Sequence, residues 1–301
     1  MISSLSTATI NQYSVHWKNW VSFCCAQKTT PFNNKVNMII EFLTNMFHNN
    51  SSYTSINTAR SAISLITGNT LGEHENLKRF MKGIHNLRPS KPKYNDTWDP
   101  KIVLEHLQTL HPNDSISLEM LSSKLITLIL LCTGHRLQTC YHIKLDNIKF
   151  SDQGATIYIT DRIKTSGPKK VQPILVLPYF NENPNLCVAG TLKNYIARTK
   201  VLRGKENQLF ISFKPPHKAV TTQSLSRWVK IIFEKSGINC KYTPYSIRHA
   251  STSLAKRQGV PLELIKKVAG WSPISTTFSK FYDRPLDNND RFAKTVLSSQ
   301  M

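Results

Sequence analysis

Two arginines and one tyrosine lie in three separate segments of the sequence, each on or next to a run with helical spacing. Arg136 follows Gly134 at the close of an apolar helical run, Arg248 lies on a later helical run, and Tyr282 closes the last one. A guanidinium group stays protonated at neutral pH, and its fork of N–H donors matches two phosphate oxygens. A tyrosine hydroxyl can attack phosphorus and hold it in a covalent bond. These side chains are therefore the types needed to grip a phosphodiester and attack it.

Two other positions suit the same chemistry. Lys164 lies in a basic turn and can donate a proton to a departing oxygen, and Lys169 and Lys170 on that turn are rivals for the role. Tyr245 precedes Arg248 by three residues, so both side chains project from one helix face. A phenol is a poor base at neutral pH, but it can donate a hydrogen bond to a phosphate.

Trp271 and His249 complete the candidate set. The indole N–H of Trp271 can donate to a phosphate oxygen while its ring packs in a core. His249 follows Arg248 directly and is turned from it by about 100°, which predicts a structural role away from the site. Each residue alone also has an ordinary explanation: a helix cap, a core aromatic ring or a solvated lysine. The convergence of the other candidates on one site is the hypothesis that a structure must test.

The charge of the chain favours a polyanionic partner. Lys and Arg number 39 against 18 Asp and Glu, which gives a net charge of +21 in 301 residues. Nucleic acid fits this excess better than a membrane, because no apolar run approaches the roughly 20 residues of a spanning helix. The polar N-terminus lacks a signal peptide, so an intracellular protein with reduced cysteines is expected. The six cysteines form no C-x-x-C pair and no convincing metal site, so neither metal nor cofactor is expected.

The elements that must position these side chains fall into two predicted domains. Residues 1–88 contain four amphipathic helical runs, which predict a helical bundle. Residues 89–96 hold two prolines and two lysines and predict an extended basic linker. Residues 97–301 predict a mixed α/β domain that begins with Asp99 as a helix N-cap. The expected fold is therefore mainly α with a small antiparallel sheet.

The second predicted domain contains a β-hairpin with a long basic tip. Two β-rich runs, at 155–160 and 171–177, flank a turn signal, and a short strand is predicted at 209–213. Helices are predicted around 188–202, 224–235, 244–257 and 261–269.

The ordered set of motifs resembles the tyrosine recombinase (phage integrase) family. Its strings are most similar to those of DIRS-like and Ngaro-like eukaryotic mobile-element integrases: Arg136-x-Gln138-Thr139, Ala269-Gly270-Trp271-Ser272 and Lys280-Phe281-Tyr282-x-Arg284-Pro285. The resemblance covers nearly the whole chain. It implies a SAM-like core-binding bundle at 1–88 and a catalytic domain at 97–301.

The resemblance also implies roles. Tyr282 would form a 3′-phosphotyrosyl bond, Arg136 and Arg248 would hold the phosphate, and Lys164 would act as general acid. Tyr245 stands where many relatives have His, and Trp271 where they have His or Trp. No metal or ATP would be required.

The resemblance further implies a partner, an assembly and a location. Double-stranded DNA would be the partner, a homotetramer would bind it, and the protein would act in the nucleus if the host is eukaryotic. Candidate DNA contacts are Lys91, Lys93, Arg162, Lys169, Lys170, His249, Lys280 and Arg284.

Two other functions remain open at this point. A type IB topoisomerase has a similar set of Arg, Lys and Tyr side chains, but it would relax supercoiled DNA as a monomer. A DNA-binding descendant without catalytic activity is the second alternative, and Tyr245 in place of His leaves room for it.

Overall fold

The computed structural model describes residues 4–33, 35–89, 92–164, 166–167, 171–286 and 297. The chain forms two compact units, Met1–Lys93 and Tyr94–Met301. The boundary falls inside the segment predicted as a linker. The end of that segment packs within the second unit, where the buried Tyr94 hydroxyl bonds Thr243 Oγ1 at 2.7 Å. Within the described ranges, no helix is long and apolar enough to cross a membrane.

The first unit is a bundle of four helices: α1 (Thr7–Ala26), α2 (Val36–His48), α3 (Tyr53–Thr67) and α4 (Glu75–Leu87). Ser6 caps α1 and Ser52 caps α3, each accepting a hydrogen bond from a backbone N–H in the first turn. The apolar residues that recur along the four helices meet in one core, which includes Trp20, Leu43, Ile56, Ile63 and Leu77. The predicted helical bundle is confirmed.

The second unit combines helices with one small sheet. Its first helices are α5 (Pro100–Thr109), α6 (Leu118–Thr133) and α7 (Leu137–Tyr141), and strands β1 (Ile148–Ser151), β2 (Gly154–Tyr158) and β3 (Ile174–Pro178) follow. The later helices are α8 (Val188–Thr199), α9 (Thr222–Lys235), α10 (Ile247–Arg257) and α11 (Leu262–Val268). A π-helical turn covers Phe278–Tyr282. The expected fold class, mainly α with a small antiparallel sheet, is confirmed.

The sheet differs from the prediction in detail. Its order is β1-β2-β3, all antiparallel, and β1 was not predicted. Strands β2 and β3 are shorter than predicted, because regular pairing ends near Tyr158 and Ile174 and the long tip follows. The predicted strand at 209–213 is wrong. Only one isolated bridge forms there, between Ile211 and Ala219, because no neighbouring strand continues the ladder.

Helix α6 passes through the core of the second unit and delivers Arg136 to the site. Its residues from Leu121 to Leu130 are all buried, the polar ones among them included, so the helix is enclosed on every side. The helix ends at Gly134, whose φ of +60° is the left-handed conformation that glycine tolerates best. The chain turns there, and Arg136 becomes the N-cap residue of α7.

The helix predicted at 244–257 is two pieces in the structure. Pro244–Ser246 forms a 3₁₀ turn, and α10 begins only at Ile247. Tyr245 therefore lies one turn before the helix that carries Arg248. Helix α11 ends close to Gly270, whose φ of +70° reverses the chain before Trp271.

One buried charge links α6 to the segment that precedes it. The side chain of Lys124 is fully buried, and its ammonium donates to Leu110 O at 2.7 Å and to Asn113 Oδ1 at 3.0 Å. Burial lowers the pKa of Lys124 to about 8, because an ammonium loses its hydration inside the protein.

This lowered pKa makes stability depend on pH. Between about pH 8 and about pH 10.5 the unfolded chain binds a proton at Lys124 that the folded chain does not, so stability rises with pH in that window. We expect the free energy of unfolding of the wild type, minus that of Lys124→Met, to increase from pH 7.5 to pH 10. Urea unfolding at several pH values measures it, and the exposed Lys101→Met is the matched control. A difference that is flat or falls with pH would contradict the assignment.

Candidate active site

The guanidinium of Arg248 is the buried centre of the site. Only 2% of this residue is exposed, and its Nη1 donates to Gly134 O at 2.6 Å and to Ala269 O at 2.8 Å. These carbonyls belong to the turns that end α6 and α11, where helix ends carry partial negative charge. Arg248 thereby joins three segments that are distant in sequence. Its Nε and Nη2 are buried and find no hydrogen-bond partner among the residues that the structure describes.

Two aromatic rings lie over this guanidinium. The centroid of the Trp271 ring is 3.9 Å from Arg248 Cζ, and the centroid of the Tyr282 ring is 5.2 Å from it. Both distances allow cation–π attraction. The two rings also meet edge to face, with centroids 4.9 Å apart, and both are buried. Trp271 Nε1 is a second buried donor with no partner among the described side chains and backbone.

The Tyr282 hydroxyl faces Tyr245. The two hydroxyl groups form a short hydrogen bond with each other. The backbone of Tyr282 is held as well, because Ser253 Oγ donates to Tyr282 O at 2.7 Å. Ser253 Oγ also accepts from the N–H of Arg284 at 3.1 Å, so one buried hydroxyl fixes the end of the π-helical turn.

His249 contradicts its predicted position. Its ring does not point away from the site but stacks on Tyr282, with centroids 4.4 Å apart and planes 22° apart. The turn of about 100° separates the side-chain direction of His249 from that of Arg248 alone. The spacing of four residues from Tyr245 was the better signal, since such residues share a helix face. The Tyr245 and His249 rings are indeed neighbours, at 5.6 Å. Because His249 is buried, direct contact with DNA is not supported by this arrangement.

Arg136 borders a concavity next to this cluster. The concavity has a volume of about 170 Å³, and Arg136, Gln138, Tyr245 and Arg248 line it together with His135. One arginine from the end of α6, one from α10 and Tyr245 between them in space therefore line the same concavity. His135 is buried and packs against Gly270. A Cβ atom added at Gly270 would lie 2.9 Å from the His135 imidazole, so this position needs glycine.

The pKa shifts in the site follow from burial and from two neighbouring positive charges. Burial lowers the pKa of Arg248 to about 10, and the charge of Arg136 acts in the same direction. Burial and the bond to Tyr282 raise the pKa of Tyr245 to about 12, against the opposing effect of the two arginines. Tyr245 therefore stays protonated at neutral pH and acts as a hydrogen-bond donor rather than as a base. Burial and the nearby arginines lower the pKa of His135 to about 3.

The hairpin tip approaches the same site through its backbone. Lys164 N donates to the side-chain Oε1 of Gln138 at 3.2 Å, two residues beyond Arg136. The Lys164 side chain itself is exposed. The base of the tip is also tied down, because Asp161 accepts hydrogen bonds from Lys144 at 2.7 Å and pairs with His142 at 3.1 Å.

The remaining predicted DNA contacts lie at different depths. Lys93, Arg162 and Lys280 are exposed. Arg284 is half-buried and donates from Nε to Phe281 O at 3.1 Å and from Nη2 to Lys280 O at 3.3 Å, so it caps the turn that carries Tyr282. Three further candidates, Lys91, Lys169 and Lys170, lie outside the described residues.

Comparison with known sequences finds one family and one relative. The model of the phage integrase family matches residues 103–288, which is more than half of the chain. The tyrosine recombinase XerA of Pyrococcus furiosus is 25% identical over 191 residues. That match covers 63% of this chain and 59% of XerA, so less than two thirds of the relative's length is aligned.

Comparison with solved structures finds the same fold. The pre-cleavage complex of the XerH recombinase with a difH substrate has a TM-score of 0.60 at 16% identity and covers 94% of this chain and 78% of that one. A lambda integrase dimer bound to a COC′ core site has a TM-score of 0.59 at 15% identity, with 95% and 91% covered. At such low identity, these matches establish the fold alone.

The stacked imidazole gives a test of the site's geometry. Burial, followed by the charges of Arg284 and Arg248, lowers the pKa of His249 to about 4. Its contribution to stability is therefore complete above the ordinary pKa of about 6.5 and is lost as pH falls towards 4. We expect the His249 ring signal in an NMR titration, identified with His249→Gln, to stay that of a neutral imidazole from pH 7 to pH 5. Arg284→Ala should raise the pKa, whereas a midpoint near 6.5 in the intact protein would contradict the burial.

Proposed function

The chain belongs to the phage integrase family of tyrosine recombinases, and we propose that it cuts and rejoins DNA strands through a covalent bond to Tyr282. The observation that carries the proposal is the meeting of three elements at one concavity. Arg136 lines this concavity together with Tyr245 and Arg248 from a distant segment, and the hydroxyl of Tyr282, from a third segment, bonds the hydroxyl of Tyr245. The unpartnered Nε and Nη2 of Arg248 are suitable donors for phosphate oxygens.

The proposed cleavage step is a transfer of the phosphodiester to tyrosine. The Tyr282 oxygen attacks phosphorus and gives its proton to a water molecule, and the bond between phosphorus and the 5′-oxygen breaks. Negative charge grows on the non-bridging oxygens, where Arg136 and Arg248 stabilise it. Lys164 gives a proton to the 5′-oxygen and becomes a neutral amine. The reverse sequence joins a 5′-hydroxyl to the 3′-phosphotyrosyl bond, so the energy of the original ester is conserved.

Tyr245 and Trp271 have supporting roles in this proposal. The hydrogen bond between the Tyr245 and Tyr282 hydroxyls must open before Tyr282 can attack. Tyr245 then remains protonated at neutral pH, because burial, the largest cause of its raised pKa, persists, and it can donate to a phosphate oxygen. The buried Trp271 Nε1 is a further donor beside the guanidinium of Arg248. The position held by His in many relatives thus acts here through hydrogen bonding instead of base catalysis.

Double-stranded DNA is the proposed substrate, and a homotetramer on two duplexes is the proposed working assembly. The excess of 39 basic over 18 acidic residues supports contacts to many phosphates, with affinity that falls steeply as salt rises. Lys93, Arg162 and Lys280 are exposed candidates for such contacts. The first unit is proposed to be the core-binding domain and the second the catalytic domain. In a eukaryotic host the site of action would be the nucleus.

A finer assignment concerns the branch of the family. We propose that the chain is an integrase of a DIRS-like or Ngaro-like mobile element. The strings Arg136-x-Gln138-Thr139 and Lys280-Phe281-Tyr282-x-Arg284-Pro285 support this branch. Terminal or split repeats in the DNA that flanks the gene would support it further, and their absence would count against it.

Cleavage is tested with a pool of duplexes that carry a nick near a randomised central sequence. The nick releases a short 5′-hydroxyl strand, so the covalent intermediate cannot rejoin and accumulates. We expect an adduct that survives denaturation, with phosphate attached to Tyr282. Tyr282→Phe retains the ring but lacks the nucleophile and should give no adduct. Sequencing the recovered DNA would also identify the site.

The same preparation distinguishes the two alternative functions. A protein that binds duplex DNA but yields no adduct from any member of the pool would be a DNA-binding descendant without catalytic activity. Relaxation of supercoiled plasmids of unrelated sequence would indicate a topoisomerase.

Arg248→Lys tests the role of the buried guanidinium. A lysine ammonium has three donors on one nitrogen, so if two of them bonded Gly134 O and Ala269 O, one would remain in place of the fork of Nε and Nη2 donors that the guanidinium offers. We expect the rate of adduct formation to fall about 100-fold or more, as for loss of other oxyanion donors. Arg227→Lys, at an exposed position on α9, is the matched control for the exchange of arginine for lysine. A fall of less than about threefold in Arg248→Lys would contradict the role.

A further inference from the structure

We propose that Gln138 is a positioning residue that sets the hairpin backbone, and thereby places the Lys164 ammonium beside the departing 5′-oxygen. The inference rests on the proposed function. The Lys164 N–H donates to Gln138 Oε1 at 3.2 Å, and Gln138 lies two residues after Arg136. One amide oxygen therefore links the segment that holds the phosphate to the segment that carries the acid.

Helix α7 makes this link rigid. Arg136 is the N-cap residue of this five-residue helix, Gln138 lies in its first turn, and His142 is its C-cap residue. His142 Nδ1 contacts Asp161 Oδ2 at 3.1 Å, three residues before Lys164. Both ends of one short helix thus hold the hairpin tip, and Gln138 provides the attachment at Lys164 itself.

Hydrogen bonds within the hairpin also hold the segment that contains Lys164. Ile163 N donates to Ser166 Oγ at 2.9 Å, Ser166 Oγ bonds Gln172 Oε1 at 2.9 Å, and Gln172 Nε2 donates to Asp161 O at 3.3 Å. A change at Gln138 would therefore release the backbone of Lys164 without dissolving the hairpin. That property makes the residue suitable for a selective test.

A lysine that acts as general acid needs such a fixed backbone. Its side chain has four rotatable bonds, and the Lys164 side chain is exposed. The ammonium must come within hydrogen-bond distance of the leaving oxygen when the bond breaks. A displacement of about 1 Å in a catalytic group can reduce the rate by about 100-fold. Loss of the Gln138 bond should therefore weaken proton donation more than phosphate binding.

A second role for Gln138 must be separated from this one. Gln138 lines the same concavity as Arg136, Tyr245 and Arg248, so its amide could instead touch the phosphate directly. A direct contact would stabilise the transition state whatever the leaving group is. A positioning role matters only when the leaving group needs a proton.

The test compares two leaving groups. The duplex recovered from the nicked pool is synthesised with oxygen or with sulfur as the 5′-bridging atom at the cleaved phosphate. A thiolate leaves without protonation, because a thiol has a pKa of about 8.5, far below that of an alcohol. The readout is the ratio of the two cleavage rates, sulfur over oxygen. Partial unfolding of a variant lowers both rates equally and leaves this ratio unchanged.

Lys164→Met should raise the ratio about 100-fold or more, since it removes the proton donor altogether. Gln138→Met removes the acceptor and keeps a similar volume, and it should raise the ratio at least about tenfold. Gln138→Glu restores an acceptor for the Lys164 N–H, so its ratio should stay within about threefold of the wild type even if its added negative charge slows both reactions. Asn147→Ala removes a different bond to the hairpin, Nδ2 to Thr160 Oγ1 at 3.0 Å, and should leave the ratio unchanged.

Two outcomes would overturn the proposal while wild-type cleavage persists. Equal slowing of both substrates in Gln138→Met would mean direct contact with DNA. An unchanged ratio in Lys164→Met would mean that there is no acid at Lys164 for Gln138 to position. If the wild type cleaves neither substrate, the proposed function has failed, and the role of Gln138 fails with it.

Discussion

The site depends on one buried cation. Taking a guanidinium out of water costs on the order of several kcal/mol, and only good hydrogen bonds and charge partners offset this cost. Arg248 obtains two such hydrogen bonds, from Gly134 O and Ala269 O at the ends of two helices that are remote in sequence, and the cation–π contacts of two rings add to them. The requirement to satisfy this charge holds three chain segments together. Those segments carry Arg136, Trp271 and Arg248 itself, so the hydrogen bonds of the buried guanidinium also fix the positions of the other two side chains.

Aromatic rings cover the buried guanidinium and pack against one another. Trp271 and Tyr282 cover the guanidinium, and His249 supports Tyr282 from another side as a neutral ring. The Tyr282 hydroxyl meanwhile pairs with Tyr245 instead of facing a phosphate. This pairing removes no essential group from the site, and opening it costs about one hydrogen bond, on the order of 1 kcal/mol. Under the proposed function, the binding of DNA supplies that amount.

The sequence predicts the elements of this protein better than its contacts. Periodicity located the helices of the first unit and the long buried helix before Arg136, because apolar spacing directly reflects burial. The strand at 148–151 was missed, since a four-residue edge strand with exposed side chains has little pattern. The wrong strand at 209–213 had the right composition but no partner. Local sequence cannot state which strands are neighbours.

The candidate site shows the same division. The residue types and their order in the chain placed Arg136, Tyr245, Arg248, Trp271 and Tyr282 in one group, and the structure brings these five together. The stack of His249 on Tyr282 and the bond from Lys164 to Gln138 were not predicted, because both depend on how separate elements meet.

The most direct measurement of the central claim is a crystal structure of the covalent complex between the protein and a nicked duplex. We predict phosphate bonded to Tyr282, with its non-bridging oxygens about 3 Å from nitrogen atoms of Arg136 and Arg248. Phosphate bonded to another residue, or bonded to Tyr282 but beyond the reach of both guanidinium groups, would contradict the account.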